Sequence, residues 1–216
     1  MTAVGVATTK HDQRPLRRVA NLSFDVALVL TWAVFLYSHG HRVIADGVYT
    51  SLPFVIENAV LVGISLTRRS SRVTSTRWAD WLVATAGAWL PLAFQTAAGA
   101  NGLAGTAGTL VQVVGLGATV FSFLTLGRSF GIVAADRGLK VHGPYRIVRH
   151  PIYVSHSITM TGLVIANFST VNVVLLATIT AFQLLRIQAE ERVLTASGDY
   201  AAYAGRVRWR LVPGLY

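Results

Sequence analysis

Two short stretches hold the residues best suited to chemistry. "GPYRIVRHPIYVSH" (143–156) sets Arg146, Arg149 and His150 directly before an apolar run, with Tyr153 just inside it. "RIQAEERVL" (186–194) closes another apolar run and supplies Glu190 and Glu191, with Arg186 on the same helical face as Glu190. Pro151 suits the first turn of a helix, where its missing N–H costs nothing. His150 then falls beside the N-cap, next to free N–H groups and a partial positive charge. The apolar runs 151–167 and 171–188 are parted by the turn "NFSTVN" and read as a tight helical hairpin. Both lips therefore meet at one membrane boundary, with two carboxylates against an arginine, a histidine and a tyrosine. Ionisable groups held at membrane depth are candidate functional sites.

The elements that must position them are membrane helices. Of the 216 residues, 53% are hydrophobic and 13% charged, against about 25% charged in an average globular domain. Mean hydropathy is +0.52. The chain has no cysteine, which excludes disulfides, thiolate metal sites and cysteine nucleophiles. No metal-ligand set is expected. The net charge of +10 is spread in short clusters between apolar runs, a pattern of topology signals and lipid head-group contacts rather than of nucleic-acid binding. No cleaved signal peptide is expected, because the basic N-terminal segment is followed by a run long enough to stay in the bilayer.

Six runs have spanning length: 24–44, 52–67, 78–98, 105–126, 151–167 and 171–188. The first is broken near its end by "SHGHR". Eighteen of the nineteen lysines and arginines fall on one side of this layout, leaving Arg42 opposite. The positive-inside rule puts both termini and the 127–150 segment in the cytoplasm. The expected fold is all-α, a polytopic bundle of about six spans. It divides into a basic tail (1–23), four spans (24–126) and a polar C-terminal region (127–216). Small residues such as "GLGATVFS" suit close packing among the first four spans. Glycines at 127, 131, 138 and 143 permit turns and close backbone approach to a ligand. The tail "GDYAAYAGRVRWRLVPGLY" reads as a helix lying at the interface.

Other polar residues have blander readings. Arg68, Arg69 and Arg72 are topology signals; His39 and His41 are expected to be solvated; Tyr200, Tyr203 and Trp209 suit any membrane interface. Glu57 lies inside the second run and needs a partner or a proton. Structural and functional roles stay open for it, as does the role of "GANGLAGTAG" (residues 99–108).

"GPYRIVRHPIY", "R...EER.L" about forty residues later, and "GDYAAYAGRV...VPGLY" resemble the isoprenylcysteine carboxyl methyltransferase family of integral membrane enzymes, over roughly residues 127–216. The resemblance implies S-adenosylmethionine held at the cytoplasmic membrane edge. Carried onto this sequence, its contacts are Lys140, Val141, Gly143, Tyr145, Arg149, His150, Tyr153, Glu190 and Glu191, with Arg149, His150 and Glu190 closest to the chemistry. Arg149 suits the cofactor's carboxylate, and either glutamate its ammonium or ribose. Much of the catalysis in such an in-line displacement is positioning. A carboxylate acceptor needs no base; a hydroxyl or amine does, and His150 or Glu190 is available. A lipophilic acceptor or lipid is expected to enter from the bilayer.

Two other function classes compete. Sterol reductases share a related C-terminal half and bind NADPH, but are usually longer and want more arginines for the added phosphates. A small transporter would also suit six spans, yet no inverted repeat or mid-membrane broken helix pair is present.

Overall fold

The computed structural model describes residues 14–67, 71, 73–96, 102–196 and 199–216. Lys10, Arg68, Arg69, Arg72 and residues 99–101 of the Gly/Ala-rich segment lie outside the described residues. Seven α-helices form most of the rest: α1 Arg14–Ile44, α2 Leu52–Thr67, α3 Trp78–Trp89, α4 Gly102–Leu126, α5 Pro151–Ala166, α6 Thr170–Thr195 and α7 Asp199–Arg206. Each expected run is found as a helix, with three changes of boundary. Helix α1 starts at Arg14, inside the expected tail, and runs unbroken through "SHGHR". It stops only before Gly47, whose φ of 66° is the left-handed conformation glycine tolerates. Helix α3 ends early and tightens into a 3-10 turn, Leu90–Ala93, because Pro91 has no N–H to continue the α ladder. Helix α6 continues past 188 to Thr195 and carries both glutamates.

Gly102–Ser129 and Thr170–Thr195 are long and apolar enough to cross a membrane; Leu52–Thr67 and Pro151–Ala166 are apolar but shorter. The burial pattern is that of a body in lipid. Leu110, Val114, Leu124 and Val174 face outward, whereas Gln112, Thr119, Ser122 and Asn172 are buried. Small and polar residues at the interfaces let helices approach where lipid already satisfies the apolar ones.

The closest approach is between α4 and α5. A Cβ on Gly108 would stand 2.5 Å from the Ala166 backbone nitrogen, and one on Gly115 would stand 2.5 Å from that of Thr159. No side chain larger than hydrogen fits at either point. Ser169 caps α6 by accepting from the Asn172 backbone N–H at 3.1 Å, which sharpens the α5–α6 turn.

At one end of the bundle Arg42 donates to the Leu92 and Phe94 carbonyls (3.1 and 3.2 Å), and Asn172 brackets Gln95 (2.9 and 2.8 Å). At the other, Arg128 donates to the Thr67 carbonyl at 2.6 Å, and Arg192 lies 2.7 Å from Asp80 on α3. Arg42 thus stands at the far end from Arg128 and Arg192. The all-α expectation omitted a short antiparallel pair at this second end. Strand β1 (Val73–Thr74) meets β2 (Ala135–Asp136), with Val73 opposite Asp136. It draws the 127–150 segment inward, burying Phe130, Ile132, Val133 and Ala134.

Candidate active site

His150 is the N-cap of α5, with Pro151 as the first helical residue. Its backbone N–H donates to the Arg210 carbonyl (3.0 Å), and that of Arg149 to the Trp209 carbonyl (2.9 Å). The C-terminal segment therefore lies along the lip as a short extended brace. This departs from the expected interfacial helix: only Asp199–Arg206 is helical, and Tyr200 and Tyr203 point inward, 4% and 2% exposed. Trp209 is 37% exposed.

The ends of α5 and α6 meet through charge. His150 Nε2 lies 3.2 Å from Glu191 Oε1, and His150 Nδ1 lies 3.7 Å from Glu190 Oε2. Glu191 also takes Arg149 Nη1 at 3.0 Å, Arg210 Nε at 2.8 Å and the Tyr200 hydroxyl at 2.9 Å. So many donors leave it little capacity for a ligand; it anchors the lip. Glu190 is the freer carboxylate. It accepts from the Tyr153 hydroxyl, and the Arg186 guanidinium sits 5.3 Å over the Tyr153 ring while donating to the Ile132 carbonyl at 2.9 Å.

Tyr203 donates to the Tyr145 carbonyl at 2.7 Å. Burial, aided by Glu191 and opposed by Arg149, pushes the Tyr203 hydroxyl up to about 12. Burial also raises Tyr200 and Tyr145, with Glu191 adding to the first and Glu190 to the second. The hydrogen bond to Glu191 raises Arg210. Around neutral pH these phenols are neutral donors.

A cavity opens between the lip and the bundle interior. Lys140, Tyr145, Arg149, His150, Tyr153 and Glu190 all line it. Of the other residues singled out in the sequence, Val141 is 41% exposed and off the cavity wall. Gly143 holds a left-handed φ of 59° and backs onto Thr125, where a Cβ would come within 3.0 Å. Sequence reasoning passed over His156 and Gln183, which also line the cavity. Their signal was present: both are polar residues inside apolar runs. His39, expected to be solvated, is 3% exposed and stacked on Phe54; His41 is solvent-exposed beside Asp46 as expected.

A family model described as phospholipid methyltransferase matches residues 103–198, from the start of α4 to the end of α6. The match takes in both halves of the charged lip. Over that segment the chain is similar to the isoprenylcysteine carboxyl methyltransferase-like membrane methyltransferases. It is an enzyme of methyl transfer. No curated protein matches the chain. Helix α7 and the brace at 207–210 lie beyond the matched segment, although their side chains and carbonyls complete the lip.

Proposed function

We propose that the cavity binds S-adenosylmethionine at its charged lip and a lipophilic acceptor along its apolar walls, with the lip at the cytoplasmic face of a multi-pass bundle whose termini are both cytoplasmic. Methyltransferases of this kind use S-adenosylmethionine in general. The residues present fit it. Its ammonium and ribose hydroxyls are donors, and Glu190 offers a carboxylate on the cavity wall. Its carboxylate suits Arg149 or Lys140, which share that wall. The cofactor supplies an electrophilic methyl group on a sulfonium. What the chain supplies is position: Tyr153, with the Arg186 guanidinium over its ring, holds Glu190, and Glu191 holds His150 and Arg149.

The observation that carries this reading is the approach of His150 to Glu190 at the mouth of one cavity, from helix ends some forty residues apart in sequence. The apolar outer surface of α4 and α6 supports entry of the acceptor from lipid. The concentration of basic residues at the lip end supports its cytoplasmic placement.

Calorimetry in detergent tests it. S-adenosylhomocysteine should bind the wild type and bind Glu190→Gln and His150→Asn at least about tenfold more weakly, the scale of a lost charge-assisted hydrogen bond. Undiminished binding in both variants defeats the assignment. So does stabilisation by NADPH with none by S-adenosylhomocysteine.

A further inference from the structure

The same cavity has a second polar set, deeper in the bundle than the lip. His156 Nδ1 on α5 lies 2.7 Å from Glu57 Oε1 on α2. Glu57 is 3% exposed, and its other oxygen, Oε2, meets no partner among the described residues. His39 on α1 is equally buried and its Nδ1 is also unpartnered. Gln183 on α6 accepts from Ser157 at 2.8 Å, which leaves its amide N–H groups as further donors. These four residues line the cavity together.

A buried carboxylate oxygen without a donor is costly and rare. His156 satisfies one oxygen of Glu57, and the geometry leaves the other for something that enters the cavity. That occupant must present an O–H or N–H, since a second carboxylate would face repulsion and offer no proton. The wall around it includes Trp32, Phe35, Phe54 and Leu61, so the rest of the occupant is apolar.

We propose that Glu57 and His156 form the subsite for the acceptor's polar group, and that the acceptor is an apolar molecule bearing a hydroxyl or amine rather than a carboxylate. The inference rests on the methyltransferase reading above and narrows its substrate class.

Decylamine, decanol and decanoate share a chain length and differ at the head. Their apparent affinities can be read from thermal stabilisation of the full chain in a neutral maltoside detergent. The amine and the alcohol should bind about tenfold or more tightly than decanoate. Glu57→Gln and His156→Asn should each compress that preference to about twofold or less. Comparing variant with wild type cancels whatever the amphiphile does to the micelle. If Glu57→Gln does not fold, His156→Asn and the wild-type ranking carry the test. S-adenosylhomocysteine binding should be unchanged in both variants.

Decanoate binding as tightly as decylamine overturns the proposal. So does a preference for the amine that survives both substitutions. Should S-adenosylhomocysteine not bind the wild type while the preference holds and collapses in the variants, the cofactor assignment falls and the polar subsite stands.

Discussion

Arg210 donates through Nε to Glu191 Oε2 at 2.8 Å, so a residue near the C-terminus closes the anchor beneath the His150 lip. Its side chain is 36% exposed, and solvent weakens what the pair contributes. Arg210→Ala should cost about 1 kcal/mol of S-adenosylhomocysteine binding, roughly fivefold in affinity by calorimetry. Removing residues 207–216 should cost more, because the carbonyls that hold the Arg149 and His150 N–H groups go with them.

The α4–α5 contact predicts a sharp positional contrast. Gly115→Ala and Gly108→Ala each drive a methyl group into backbone and should destabilise the bundle by roughly 1–3 kcal/mol. Gly117→Ala meets nothing within 4 Å and should be close to neutral. Melting temperatures of the three variants in one detergent check this.

Asp80 and Arg192 are unequal partners. Asp80 is 8% exposed and also accepts from Ser75, whereas the Arg192 side chain is 47% exposed. Asp80→Ala strands a buried serine hydroxyl together with the arginine and should cost about 1–3 kcal/mol. Arg192→Ala should cost about 1 kcal/mol or less. Equal effects in denaturation would contradict the asymmetry.

Alkaline stability should depend on Tyr203. Its hydroxyl is raised to about 12 in the fold from an ordinary value near 10. The folded state therefore holds this proton more tightly than the unfolded chain. Its contribution is complete below pH 10 and is lost as pH rises from there through about 12. Tyr203→Phe should lower stability at neutral pH, by removing the bond to the Tyr145 carbonyl, and should flatten the decline above pH 10. Melting curves between pH 8 and 11 distinguish this from a uniform loss.

Much of this was legible in the sequence because apolar helices announce themselves as unbroken apolar runs. Helices α2, α4 and α5 begin and end within a few residues of the apolar runs that define them. The meeting of "RHPIY" with "EER" followed from one inference, that a short turn returns the chain to the side it left. What lies off the helices was harder to read. The β1–β2 pair uses two residues from each strand, too few for any alternation to stand out. The inward turn of Tyr200 and Tyr203 depends on Glu191 and on the Tyr145 carbonyl, partners that sequence periodicity along the tail does not reveal.

The two glutamates show a finer limit. Adjacent in sequence and alike in chemistry, they carry different duties because successive helical residues point about 100° apart. Glu190 faces the cavity, while Glu191 faces Arg149 of the lip and Arg210 of the brace. Glu57 and His156 sit 99 residues apart, and nothing local to either residue signals the other.

Where α4 and α5 touch backbone to backbone there is no slack, and neither helix can slide or tilt without collision. Whatever breathing a bulky guest demands must be taken up across the chamber, where rings and branched side chains of α1 and α2, not main chain, form the wall. The rings of Trp32, Phe35 and Phe54 therefore bound the adaptable side of the chamber, with α5 as its fixed side.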